Sequence, residues 1–352
     1  MKIGIYSGLL YFTPRYQHYY DEKNLIYGNI GGADKWAIEI ANEFLRQGHE
    51  CTVFADCKKW HFSPEGVEYI PVDYFKDVVG LKQFDVFISS RRIQPFYENI
   101  KAKKKILMLH EIFLLDFENT EKYKTANFDS IAIQSESQKE AILEKYPFLR
   151  SKKIIRTNQS IDFAQYNDIT IESKENSMVW SSHKSRGLRF FCEKIFPKIK
   201  EKINNFTLHV CSYINDNQDE YLLQDGIKVS QNVSKQQLIE LQKKSKVWIY
   251  PNISSEDKER PKETFCITAM ENAAALNALI IPNNDSFSDI FEGYNGLVDL
   301  CEIDTAIFDF IESSVKCLTN EDYRLRLAME AKEKINKYTW ETAAKSFLKE
   351  YI

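Results

Sequence analysis

Glycine is scarce in this chain: 12 among 352 residues, about half the ~7% typical of globular proteins. Two phosphate-binding designs depend on glycine, the dinucleotide fingerprint G-x-G-x-x-G and the loop G-x-x-x-x-G-K-[ST]. After the first strand-like run the chain reads Gly4-Ile5-Tyr6-Ser7-Gly8, and Gly-Lys followed by Ser or Thr occurs nowhere. Nicotinamide-dependent and P-loop chemistry are thereby reduced to minor alternatives. Cysteine occurs seven times, an odd number, scattered and without a C-x-x-C pair; neither a disulfide framework nor a zinc site is indicated. An excess of positive charge is also lacking, since 47 Lys and Arg against 51 Asp and Glu give a net −4. Such a balance suits a nucleic-acid partner poorly. No apolar run approaches the ~18–20 residues that span a bilayer. The opening MKIGIYSGLLYF has no signal-peptide cleavage pattern. The expectation is a cytoplasmic protein with reduced, buried thiols.

What is present suffices for two cores. The chain is 43% hydrophobic and 28% charged, which excludes disorder and suits two domains of ~100–200 residues. Short β-branched runs alternate with longer amphipathic stretches, the pattern of parallel sheets covered by helices. Strands are expected at 2–8, 51–56, 85–90, 105–109, 130–135 and 153–158, then at 178–182, 207–211, 228–230, 247–251, 279–283 and 296–300. Between the first two, Trp36, Ile40, Phe44 and Leu45 share one helical face and Gly48 supplies the stop. Further helices are expected at 187–203, 234–244, 265–276, 304–317, 320–336 and 340–351, and the polar stretch 163–176 reads as a linker.

The most informative segment is KETFCITAMENAAALNALIIPNN (262–284), which carries Glu263 and Glu271 eight residues apart. Eight helical residues span about 12 Å. A two-carboxylate hydrolase needs its pair ~5–9.5 Å apart, so that chemistry is excluded. The spacing suits one acid at each end of an elongated ligand, with N–H groups around Phe265, Cys266, Ile267 and Thr268 aimed at a central anion. Taken alone, such a pair is more often two solvated glutamates on an amphipathic helix.

The surroundings change that balance. Pro251, Glu263-Thr264-Phe265-Cys266 through Glu271, the run ALII (278–281) and Asn295-Gly296 together resemble the signature of glycosyltransferase family 4, retaining enzymes with the GT-B fold. The resemblance covers nearly the whole chain. Gly31-Gly32 before a helix, and then GHECTVF (48–54), look like the family's N-terminal elements. KILMLHE (105–111) is similar to its strand ending in a histidine, SESQKE (135–140) to the helix start that follows, and NQSID (158–162) to its Asn-Gly-Val-Asp. SSHKSRGLRFF (181–191) resembles the branch reading S-S-x-x-R-G-L in place of Gly-Arg…Lys-Gly, and TWETAAKSFLKEYI (339–352) the last helix.

The resemblance implies an α/β protein of two Rossmann-like, doubly wound domains facing a central cleft: 1–165 for the acceptor, 175–337 for the nucleotide sugar, and a helix at 338–352 returning to the first domain. It implies transfer of a hexosyl unit from a UDP- or GDP-sugar to a glycan, lipid-linked or protein acceptor, with no metal and no cofactor. His110, Glu263 and Arg186 are the implied catalytic residues. Gly31, Gly32, Ser182, Lys184, Arg186, Thr264, Phe265, Cys266, Ile267, Thr268 and Glu271 would hold the donor. Tyr11, Arg15 and Tyr19, in a tyrosine-rich run long for a strand-to-helix connection, would meet the acceptor with Arg91 and Glu111.

Departures from the pattern are Cys266 where glycine is usual, Glu111 for aspartate, and Asn277 for glycine, expected as a left-handed cap. Asp162 is expected to shape the linker turn. The cluster KAKKK (101–105) with Arg91 and Arg92 offers peripheral contact with an anionic inner membrane face, though a solvated helix end is commoner. Two other readings stand beside the transferase: a non-catalytic sugar-nucleotide or glycan-binding module, and a GT-B sugar-nucleotide epimerase.

Overall fold

Every strand read from the sequence is present in the computed structural model, which describes residues 1–8, 32–115, 125–171, 174–212, 219–253 and 262–349. The chain divides into two units, Met1–Gln159 with Tyr338–Ile352, and Ser160–Lys337.

In the first unit the strands are β1 (Lys2–Gly8), β2 (Glu50–Ala55), β3 (His61–Phe62), β4 (Glu68–Pro71), β5 (Phe84–Ser90), β6 (Ala102–Met108), β7 (Ser130–Ile133) and β8 (Lys153–Arg156). They lie in the order β3-β4-β2-β1-β5-β6-β7-β8, and only β3 runs antiparallel to its neighbour. Sequence reading missed β3 and β4. Alternation in Val67-Glu68-Tyr69 was available, but Pro71 marks the run as a poor interior strand.

Side chains of β6 alternate between two cores: Ile106 and Met108 on one face, Leu107 and Leu109 on the other. Helix α1 (Gly32–Arg46) covers the first face with Trp36, Ile40 and Phe44, and stops at Gly48, whose φ is +79°. The terminal helix (Trp340–Leu348) joins it there, Phe347 meeting Trp36 and Phe44 edge-on. The opposite face is covered by α2 (Phe75–Val79) and α3 (Glu136–Lys145) through Phe75, Val79 and Ile142. A sheet buried on both faces explains the near-continuous apolar strands.

The second unit repeats the plan with β9 (Ser177–Trp180), β10 (Thr207–Ser212), β11 (Ile227–Gln231), β12 (Val247–Ile249), β13 (Ala278–Pro282) and β14 (Leu297–Val298). Their order is β11-β10-β9-β12-β13-β14, all parallel. The helices are α4 (Leu188–Phe190), α5 (Phe196–Lys202), α6 (Lys235–Lys244), α7 (Ile267–Ala274), α8 (Asp285–Ile290), α9 (Ile303–Thr319) and α10 (Glu321–Ile335). None of the described helices is long and apolar enough to cross a membrane.

Three local expectations are corrected. The helix expected at 187–203 is broken by a π turn over Phe191–Ile195. Pro197 follows within its next turn; it lacks an N–H and crowds the carbonyl four residues back. The helix expected at 265–276 begins only at Ile267, so Glu263 lies on a loop and the 12 Å helical separation from Glu271 does not apply. The left-handed residue after α7 is Leu276, φ +56°, not Asn277. Asn277 instead donates to Asn272 Oδ1 and accepts from Lys174 at 2.6 Å, while Arg324 holds the Leu276 carbonyl at 2.9 Å. Asp162 caps the short 3-10 helix Phe163–Tyr166 by accepting from the Ala164 N–H at 3.1 Å. Tyr166, inside the polar stretch read as linker, is buried and donates to Gln242.

In each sheet the strand order reverses once, between β1 and β5 and between β9 and β12. Ligands of open parallel sheets bind beyond the carboxyl ends of the strands at that reversal. The residues to inspect are therefore those after β1 and β5 in the first unit, of which 9–31 lie outside the described residues, with those after the neighbouring β6, and those after β9 and β12 in the second.

Candidate functional site

The segment after β9 turns sharply. Ser181 and Ser182 leave the strand, His183 caps the 3-10 turn Lys184–Arg186, and Gly187 follows at φ +95°. Only glycine fits there: a Cβ would lie 2.6 Å from the Pro251 carbonyl oxygen, in the segment after β12. This close approach sets Arg186 beside the residues that follow β12.

Arg186 Nη1 donates to Glu263 Oε1 at 2.8 Å, and Tyr250 Oη donates to the same oxygen at 2.5 Å. The Glu263 side chain is only 11% exposed, so a charged pair held by a phenol replaces its lost hydration. Burial opposes the charge on Arg186, but Glu263, Tyr250, Cys266 and Asp285 outweigh it and raise the guanidinium pKa further. Burial, and next Glu263, push the Tyr250 and Cys266 pKa values well up, so both stay protonated. The Tyr250 ring stacks with Trp248 at 5.0 Å and with Trp180 at 5.6 Å, which restricts where its hydroxyl points.

Helix α7 begins three residues after Glu263-Thr264 enters the site. Its N-cap, Cys266, has φ −85° and forms no side-chain cap bond. The N-cap side chain thus leaves the amino end of α7 uncapped, its first turn carries no acid, and Ile267 and Thr268 there are half-buried. Phe265 and Cys266 are buried and Thr264 is half-buried. Close by in the chain fold, Ser181 Oγ and Ser286 Oγ are buried without a hydrogen-bond partner among the described residues. Native structures rarely leave such atoms unmet. Ser182 is half-buried and its carbonyl accepts from Trp180 Nε1 at 3.1 Å; Lys184 lies 3.4 Å from Asp219.

Glu271 lies inside α7 and is buried. It pairs with Lys235 of α6 and accepts from Gln242 Nε2 at 3.3 Å; Gln242 in turn accepts from Tyr166 Oη at 3.0 Å. Glu263 and Glu271 therefore have separate partner sets, with Arg186 and Tyr250 on one and Lys235 and Gln242 on the other.

In the first unit His110 is buried beyond the end of β6. Its Nδ1 lies 3.1 Å from Gln134 Nε2 and its Nε2 3.1 Å from Ser90 Oγ. With the Gln134 amide as donor, Nδ1 accepts and Nε2 carries the proton. Burial, reinforced by the charge of Arg91, pushes the His110 pKa well below its ordinary value, and the ring is neutral. Arg91 is in the left-handed region at φ +66°, and its Nη2 meets Glu111 Oε1 at 2.8 Å. Burial raises the Glu111 pKa despite Arg91, and Asp34 adds to the rise. Asp34 occupies the first turn of α1, so the positive end of that helix already faces a carboxylate, unlike that of α7. Gly32 opens α1. Gly31, Tyr11, Arg15 and Tyr19 lie outside the described residues.

Sequence reasoning missed Tyr250, Asp285, Lys235 and Gln242. Tyr250 had a signal, an aromatic residue at the carboxyl end of a strand and next to Pro251. The others sit on ordinary polar positions and are brought in only by folding.

Neither a family model nor a curated protein matches the sequence. Solved structures do. A glycosyltransferase from Rickettsia africae ESF-5 superposes with TM-score 0.72 at 13% identity, covering 99% of this chain and 97% of that one. Sucrose-phosphate synthase from Thermosynechococcus elongatus gives 0.69 at 10% identity, over 99% and 98%. The E. coli trehalose-6-phosphate structure bound with UDP-2-fluoro glucose gives 0.67 at 10%, over 99% and 98%. The fold is GT-B. At such identities the GT-B likeness concerns architecture: two α/β units with mostly parallel sheets and a terminal helix packed on the first unit.

Proposed function

We propose that this GT-B chain is a family 4 retaining glycosyltransferase, moving a hexosyl unit from a UDP- or GDP-sugar to a glycan, lipid-linked or protein acceptor. The observation that carries the reading is the meeting of Arg186, Tyr250 and Glu263 beside the uncapped amino end of α7, at the strand reversal of the second sheet. A cation and free helix N–H groups suit a diphosphate, and a carboxylate alongside suits sugar hydroxyls.

On this reading the N–H groups of Ile267 and Thr268 with Arg186 neutralise the leaving diphosphate, helped by Ser182, Lys184, Thr264 and the Phe265-Cys266 backbone. The guanidinium has five donors, so its bond to Glu263 and a bond to phosphate are compatible. Glu263 holds the sugar hydroxyls and stabilises positive charge developing on the ring. Glu271 takes the ribose. His110, neutral, reaches a sugar hydroxyl only by exchanging its Ser90 contact, and it is not the sugar's acid. Arg91, Glu111, Tyr11, Arg15 and Tyr19 serve the acceptor, and Gly31-Gly32 give the donor a close approach. Transfer needs no metal, and the enzyme works in the cytoplasm or at the inner face of a membrane.

Retention follows from the roles given. An inverting enzyme needs a base in reach of the acceptor hydroxyl, whereas here the departing phosphate takes the acceptor proton on the face it leaves. A thermal-shift panel of nucleoside diphosphates and their sugars finds the donor, since ligand at 100 times its Kd stabilises by ~2.7 kcal/mol. Proton NMR of the first product then decides the mechanism: an α donor gives an α linkage, and a β linkage ends this reading. Activity survives excess EDTA.

A further inference from the structure

Glu263 is a loop carboxylate, and groups on loops are placed less firmly than groups on helices. What fixes it is therefore informative. Its main chain is clamped by two consecutive residues at the head of α8. Asp285 Oδ2 accepts the Glu263 N–H at 3.1 Å, and the Ser286 N–H donates to the Glu263 carbonyl at 3.2 Å. Asp285 does this with φ +47°, a conformation unfavourable for any residue with a Cβ, though Asp and Asn tolerate it best. Glycine would relieve that strain and leave the Glu263 N–H without this acceptor. The side chain at 285 thus has a use that the backbone alone does not require. The carboxylate also sits in the first turn of α8, where the helix dipole favours an acid; that is a merely structural role, and it makes a different prediction.

We propose that Asp285 is a positioning residue. It holds the Glu263 segment so that the carboxylate, already met by Tyr250 and Arg186, is aimed at the donor sugar, and it acts through Glu263 without touching the donor. The inference rests on the reading of Glu263 given above.

The test uses the full chain as wild type, Asp285→Gly, Asp285→Asn and Glu263→Gln. Amide exchange of the peptide holding Glu263 is read first, without substrate. Release of nucleoside diphosphate follows, from the UDP- or GDP-sugar with the largest thermal shift. Asp285→Gly should speed exchange at Glu263 and lower kcat on the order of 10- to 100-fold, the loss expected for a hydrogen bond to a charged group. Donor KM should change little, and Tm should fall by less than the lost bond alone implies, because glycine removes the strain. Asn keeps an acceptor and the conformation, so Asp285→Asn should restore protection and most of the turnover. Unchanged exchange or wild-type kcat in Asp285→Gly overturns the proposal. So does an Asn variant as impaired as Gly, which would make charge near Arg186 the cause. If Glu263→Gln loses turnover and Asp285→Gly does not, only the positioning role falls. If Glu263→Gln keeps wild-type turnover, the reading of Glu263 falls and the positioning role with it.

Discussion

Removing one oxygen atom tests the arrangement around Glu263. Tyr250→Phe keeps the ring, and with it the stacking on Trp248 and Trp180 and the edge contact with Phe287 at 5.7 Å. What disappears is the hydroxyl that donates to Glu263 Oε1 at 2.5 Å. The acceptor is a carboxylate with little exposure, so water replaces the bond poorly and a loss of ~1.5–3 kcal/mol follows. In a domain of ~150–250 residues each kcal/mol moves Tm by ~2–4 °C, so the melting transition should drop by about 3–12 °C. The assay is a thermal melt followed by circular dichroism, with Tyr74→Phe as control because Tyr74 is exposed on the surface of the first unit. pH adds a second signature. The folded Tyr250 pKa is raised, so its stabilisation is complete below pH ~10 and is lost as pH rises past the unfolded tyrosine value. Tyr250→Phe should flatten that alkaline limb. A Tm within ~1 °C of wild type, well inside one kcal/mol by the same scaling, would refute the claim that the phenol supports Glu263.

Gly187→Ala should destabilise by ~1–3 kcal/mol, measured by urea unfolding, because φ is +95° and the new Cβ would meet the Pro251 carbonyl at 2.6 Å. His110 is buried and neutral, its pKa depressed, so the unfolded state binds one more proton below pH ~6.5. Stability should therefore fall on acidification from pH 6.5 to 5, and His110→Gln should remove up to ~1.4 kcal/mol per pH unit of that slope in urea titrations. Arg186→Ala should weaken nucleotide binding by calorimetry and lower turnover, whereas Lys103→Ala should do neither, since Lys103 is exposed and paired with Asp85 at 2.6 Å. Equal donor affinity in wild type and Arg186→Ala would remove Arg186 from the site.

The strands other than β3 and β4, most of the longer helices and the candidate site segments were legible because each depends on local pattern. A short, near-continuous apolar run marks a strand buried on both faces, and Trp36, Ile40 and Phe44 mark one face of α1 whatever they pack against. Asp162 could be singled out because turns select residue types by backbone conformation. The start of α7 could not be read this way. Thr264 to Ile267 are compatible with helix or loop, and the clamp of Glu263 by Asp285 and Ser286 is made by residues more than twenty positions away in sequence. Nor could the sequence say that Arg186 and Glu263 pair, that Lys235 and Gln242 hold Glu271, or that Asp34 occupies the amino end of α1 near Glu111. The same residue types on a solvated surface leave an identical sequence trace. Pattern is set by what each residue does to its own backbone and its neighbours three or four positions off; charge pairing and burial are set by which strand ends the sheet order brings side by side.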